Sequence, residues 1–162
     1  MSRIDPQARF QPSILTRLTD AGSLGTAVRP GFSMDQMIES VRGDLEDLLN
    51  SRCMTLIPAD KFPEVRDSIV TFGVPDLPAL ESPESELRDR VARVIEDVVV
   101  RFEPRLTNVK AIPVAKSDKS DKLSFDYEIQ AILRLDSSPE VKFMTVLNLS
   151  TGSTTVQQGI LQ

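Results

Sequence analysis

Arg101-Phe102-Glu103-Pro104-Arg105-Leu106 marks the place where this 162-residue chain changes its apolar period. Upstream, Leu87, Val91, Val94, Ile95, Val98, Val99 and Phe102 recur at three- and four-residue steps, the spacing of one helix face. Downstream, Leu123, Phe125, Tyr127, Ile129, Ala131, Leu133 and Leu135 alternate with polar residues, the spacing of a long strand with one wet face. Pro104 has no N–H and pushes the residue before it out of helical geometry, so the helix is expected to stop at or near Glu103. A carboxylate and a guanidinium, Glu103 and Arg105, are thereby held on a stiff helix-to-strand corner. Spacing alone makes them a helix stop with an exposed local ion pair, worth ~0–1 kcal/mol.

Working upstream, the helix of the corner is expected to start at Ser82 as N-cap with Pro83 behind it, and its charges Arg88, Asp89, Arg93, Glu96 and Asp97 read as a solvated face. Pro63 suits a first helical position, with Val65, Ile69 and Phe72 inward and Gly73 as the stop. A loop or short extended piece surrounds Met54 to Pro58. Ser33-Met34-Asp35-Gln36 has the form of a capping box that opens a helix to about Asn50, with Met34, Met37, Ile38, Val41, Leu45, Leu48 and Leu49 on one face. Gly43 inside that helix is unfavourable by ~1 kcal/mol relative to Ala, which points to close packing or a weak spot. Residues 1–32 read as an N-terminal arm and linker, with a short apolar stripe at Ile14, Leu15 and Leu18, and residues 33–162 as one domain.

Working downstream, Val141, Phe143, Leu147 and Leu149 repeat the strand pattern after a turn at Asp136 to Pro139. Val109 to Val114 is a weaker strand, placed at an edge or a strand end by Pro113. A charged loop, Lys116 to Lys122, follows it, and a short fourth strand is expected through Thr154-Thr155-Val156 after the Gly152 turn. The fold class is therefore α+β: N-terminal helices packed on a small C-terminal antiparallel sheet of three to four strands. Of its two edges, the one formed by Thr154 to Val156 looks the less guarded.

Composition excludes more than it identifies. The chain has no histidine and a single cysteine, Cys53, which removes the commonest general base, a Cys–His nucleophilic pair and an internal disulfide. A net charge of −5 argues against general nucleic-acid binding. No apolar run approaches the ~18 residues of a membrane helix, and no signal peptide begins at Met1, so the cytoplasm is the expected compartment. No cofactor, metal or small-molecule substrate is expected, because metal-ligand clusters and phosphate-cradling glycine loops are missing. A glycosidase would need two carboxyl groups across a cleft, with Glu103 as acid and Asp126 or Glu128 as its partner. Arg105 beside Glu103 favours the charged form, the wrong one for an acid, and one Tyr with no Trp leaves little platform for sugar rings.

Four segments in one order carry a family resemblance: Pro12-Ser13-Ile14-Leu15-Thr16-Arg17-Leu18, Ser40 to Asn50, Phe72-Gly73-Val74-Pro75-Asp76-Leu77, and Glu103-Pro104-Arg105. Together they resemble the TssE-like subunits of type VI secretion baseplates, relatives of the lysozyme-like baseplate wedge proteins of contractile phage tails. The resemblance implies a structural, non-enzymatic component of the baseplate wedge, with TssF, TssG and TssK as wedge neighbours. It further implies docking of the first ring of the sheath proteins TssB and TssC, at a baseplate on the inner face of the cytoplasmic membrane. Glu103, Pro104 and Arg105 match the family's partner-contacting corner residue for residue. The chain departs from the family at Gly43-Asp44 and in its N-terminal arm, away from the corner. A small regulatory anti-adaptor of related fold is the competing class, and a peptidoglycan hydrolase the more remote one.

Overall fold

The structure, a computed structural model, describes residues 33–53, 62–66, 68–75, 84–114, 124–134, 140–148 and 153–159. The arm 1–32, the Met54–Pro58 piece, the Ser82-Pro83 cap, the Lys116–Lys122 loop and the turns at 136–139 and 152 lie outside them. Two units of dense internal contact divide the chain, Met1–Val41 and Arg42–Gln162. Helix α1, Met34–Asn50, runs through the division. In the first unit the capping box forms as expected: the Ser33 N–H donates to Gln36 Oε1 (2.9 Å), and the Gln36 N–H donates to Ser33 Oγ (3.3 Å). Met37, Ile38 and Val41 are buried there.

The second unit holds the rest of α1, a short helix α2 (Pro63–Arg66), a 3-10 turn (Ile69–Thr71), the long helix α3 (Glu84–Phe102) and the strands. These are β1 (Leu106–Val114), β2 (Ser124–Leu133), β3 (Glu140–Asn148) and β4 (Ser153–Gln158), antiparallel throughout in the order β1-β2-β3-β4. The fold is α+β. Leu45, Leu48 and Leu49 of α1, Val91, Ile95 and Val99 of α3, and Tyr127, Ile129, Phe143 and Val156 of the sheet are buried in its core. Burial of a Leu, Val, Ile or Phe side chain is worth about 1.5–3 kcal/mol, and that term holds the helices against one sheet face. Leu49, Val91, Ile95, Leu147 and Thr154 line a single small apolar void, which places α1, α3, β3 and β4 around a common centre.

Helical phase breaks down between residues 66 and 72. Ile69, expected to face inward, is 86% exposed, and Thr71 is buried in its place. The cause is local hydrogen bonding. The Ser68 hydroxyl donates to the Val65 carbonyl (2.8 Å) and the Thr71 hydroxyl to the Arg66 carbonyl (2.6 Å), taking acceptors that a continuing α-helix would use. A 3-10 turn then follows, and its three-residue period rotates Thr71 rather than Ile69 toward the core.

Gly73 closes this segment with φ +108°, and a Cβ there would stand 2.5 Å from the Ser51 carbonyl oxygen. Only glycine allows that approach, which lets the Val74 N–H bond Ser51 O (2.9 Å) and ties residues 72–74 to the end of α1. At Gly43, by contrast, an added Cβ would meet nothing within 4 Å, so close packing is not the reason for that glycine.

Candidate interaction site

The expected helix stop is present. The Glu103 N–H makes the last helical bond, to Val99 O (2.9 Å), and Leu106 N–H returns to Glu103 O (3.1 Å), so the chain turns directly from α3 into β1. Pro104 is exposed at the tip of this turn. Arg105 is clamped to Glu103 by three bonds: its backbone N–H to Glu103 Oε1 (3.1 Å), its Nε to the same oxygen (2.7 Å), and its Nη2 to Glu103 Oε2. Such a two-pronged pairing of guanidinium and carboxylate is the strong form of the contact.

Two features correct the sequence reading. First, the pair is not an exposed one, because Glu103 retains 4% of its accessible surface. Second, there is a third member: Arg105 Nη2 also donates to Asp44 Oδ2 of α1, 61 residues upstream. The departure at Gly43-Asp44 thus belongs to the corner instead of lying apart from it. Burial works against the charged guanidinium, but Glu103 and then Asp44 outweigh it and raise the Arg105 pKa above the ordinary arginine value. No local signal could have found Asp44, since the contact depends on how α1 lies beside the corner.

The other flank of α1 meets β4. Arg42, Glu46 and Asn50 recur at four-residue steps and form one stripe. Arg42 Nη1 donates to Val156 O (3.0 Å) and also bonds Glu46. The Asn50 side-chain amide bonds Thr154 twice, donating to its carbonyl (2.9 Å) and accepting from its N–H (2.7 Å). The expectation that β4 is the less guarded edge is therefore wrong; α1 side chains hold the outward N–H and carbonyl of Thr154 and the outward carbonyl of Val156. At the opposite edge, Glu96 of α3 accepts from the Ala111 N–H of β1 (2.9 Å). Glu96 is thus an edge cap, not part of a solvated face, and Arg88, read the same way, lies over the Phe125 ring with 5.3 Å between its Cζ and the centroid.

The arrangement does not bring Glu103 together with Asp126 or Glu128 as sugar hydrolysis would require. Leu106 at the foot of β1 pairs with Leu133, five residues from Glu128 and seven from Asp126 along β2. At about 3.3 Å per residue that is roughly 17 and 23 Å of strand, well beyond the ~5–9.5 Å that either stereochemical course requires. Glu128 is moreover engaged on the wet face by Gln130 Nε2 (2.6 Å) and Lys142 Nζ (3.5 Å). Among the described residues no three of His, Cys, Asp and Glu gather as a metal site, and no helix is long and apolar enough to cross a membrane.

Comparison with known proteins bears on the family of the chain. No curated protein matches the chain significantly. Among solved structures, a chain of "The baseplate complex from the type VI secretion system" is 18% identical, with 69% of this chain and 94% of that one covered at a TM-score of 0.49, a likeness too distant to bear on function. The sequence pattern of baseplate wedge protein gp25 matches residues 35–138, which run from the first turn of α1 past the end of β2 and contain the whole corner. The chain belongs to the baseplate wedge protein gp25 family.

Proposed function

We propose that this protein is a structural, non-enzymatic subunit of a type VI secretion baseplate. In this reading it helps to build the wedge with TssF, TssG and TssK, and docks the first ring of the contractile sheath made of TssB and TssC. The observation that carries the reading is the match to the baseplate wedge family across residues 35–138. Residues 33–162 act as the wedge domain with 1–32 as its arm, in the cytoplasm at the inner face of the membrane, and no cofactor takes part.

Glu103, Pro104 and Arg105 form the partner contact, with a division of labour that their burial supports. Glu103 and Asp44 fix Arg105 from behind, while Pro104 stands exposed at the tip and Arg105 is half-buried beside it. A rigid, pre-set charge loses less on binding than a mobile one, because its rotamer is already ordered. The sheath docks by adding a strand to the β4 edge once the Arg42 and Asn50 side chains over it give way, and main-chain hydrogen bonds then supply affinity without demanding one side-chain pattern.

A Pro104→Trp variant tests the corner, since an exposed tip tolerates bulk that an interface does not. The variant should melt within a few degrees of the parent, yet a fluorescent sheath subunit followed by microscopy should form few or no sheaths. Normal sheath assembly by the folded variant would remove the corner from the interface.

A further inference from the structure

We propose that Arg42 and Asn50 form a releasable latch over the β4 edge, holding in the isolated subunit the backbone groups that an added partner strand takes over. The proposal rests on the reading that a sheath strand adds at β4, and it supplies the control of that step.

Strand parity identifies the groups at stake. Both polar groups of Thr154 and the carbonyl of Val156 are taken by side chains of α1, so these residues turn their backbone away from β3. Gly159 N–H, with the opposite parity, bonds Lys142 O of the β3 strand (2.7 Å). Backbone direction alternates along a strand, so Ser153, Thr155 and Gln157 face β3 while Thr154, Val156 and Gln158 face outward. Asn50 engages Thr154 as a neighbouring strand would, with one donor and one acceptor on one residue. Arg42 holds the next outward carbonyl.

The two edges differ in whether such a cover can be lifted. At β1, the Ala111 N–H turns outward to Glu96, so Pro113, two residues on, also faces outward. Proline has no N–H to offer, and that edge can never present a full ladder. β4 reads Ser-Thr-Thr-Val-Gln-Gln and contains no proline, so each outward residue has both a backbone donor and a backbone acceptor to offer; the Thr154 hydroxyl, bonded to Leu49 O (3.4 Å), stays with α1 when the two side chains turn away. An uncovered edge of that kind invites pairing with other chains, which accounts for a cover that is present but reversible.

Amide hydrogen exchange on the full-length chain, comparing the parent with Asn50→Ala and an Arg42→Ala/Asn50→Ala double variant, tests the latch. Exchange at the Thr154 amide should accelerate at least ~10-fold, while the ladder amides of Thr155 and Gln157 change by less than ~2-fold. Light scattering should show a concentration-dependent dimer for the double variant and a monomer for the parent. Acceleration of outward and ladder amides together would make the contact an ordinary structural staple and overturn the proposal, as would an unchanged Thr154 amide or a double variant that stays monomeric. Adding the sheath proteins separates the two readings. If the latch behaves as expected but sheath protects no β4 amide in either protein, the latch stands and docking at this edge falls.

Discussion

The corner at the foot of β1 and the edge at β4 are held by the same helix in opposite styles. At the corner, Asp44 completes a charged cluster around Arg105 in which Glu103 is almost wholly buried. At β4, the half-buried Arg42 and the exposed Asn50 reach backbone groups of the strand, and neither bond strands a buried carboxylate when it is lost. Removing one partner from a buried charged pair strands the other, at a cost of ~3–5 kcal/mol, whereas an ordinary hydrogen bond contributes only ~0.5–1.5 kcal/mol net because water replaces it. One flank of α1 is thus a fixed joint and the other a contact that can be exchanged.

Glu103→Ala should break the fixed joint with the largest effect. We expect a loss of about 3 kcal/mol, toward the low end of the range because Arg105 keeps Asp44 and some solvent. For a domain of this size that is a fall in Tm of about 6–12 °C, measurable by calorimetry, against a far smaller change for Asn50→Ala. Equal losses for the two variants would erase the distinction between joint and exchangeable contact.

Gly73→Ala comes next. It forces a side chain into a left-handed backbone position and against Ser51 O, and should cost about 2 kcal/mol in denaturant titrations. Because Ser51 adjoins Asn50, the same variant should loosen β4 and raise exchange at Thr154, while the corner bonds stay in place. Movement at the corner instead would show that the two flanks of α1 are coupled.

Gly43→Ala is the mildest and has the opposite sign. With nothing within 4 Å of the new methyl, the helix should gain ~0.5–1 kcal/mol of stability. Gly43 lies between Arg42 and Asp44, so stiffening there should leave both contacts intact. A destabilised variant would mean that the flexibility of α1 itself serves one flank or the other.

Most of the architecture was legible because it follows from local rules. The capping box at Ser33, the helix stop before Pro104 and the alternation through β2 and β3 each depend on neighbours in sequence, and each is present. Contacts between distant residues were not legible. Glu103 reads as exposed until α1 is laid beside it, and Asp44, Arg42 and Asn50 look like ordinary helix-surface residues. Ile69 misled for another reason: Ser68 and Thr71 compete locally for carbonyls, and a helical wheel does not register that competition.

The irregularity in β1 between Thr107 and Lys110, where Asn108 has φ 53°, sets the meaning of everything beyond it. At the foot of the strand the Arg105 carbonyl accepts from Arg134 N–H, so odd-numbered residues look toward β2; by Ala111 they look away, to Glu96. One surplus residue has advanced the count by a half-period. Without it, Lys110 would point into the apolar interior, Ala111 would point to water, and Pro113 would be asked for a hydrogen it does not have. A segment that reads as a poor strand is in truth two good ones spliced out of step, and the splice turns a proline from a defect in the sheet into its permanent border.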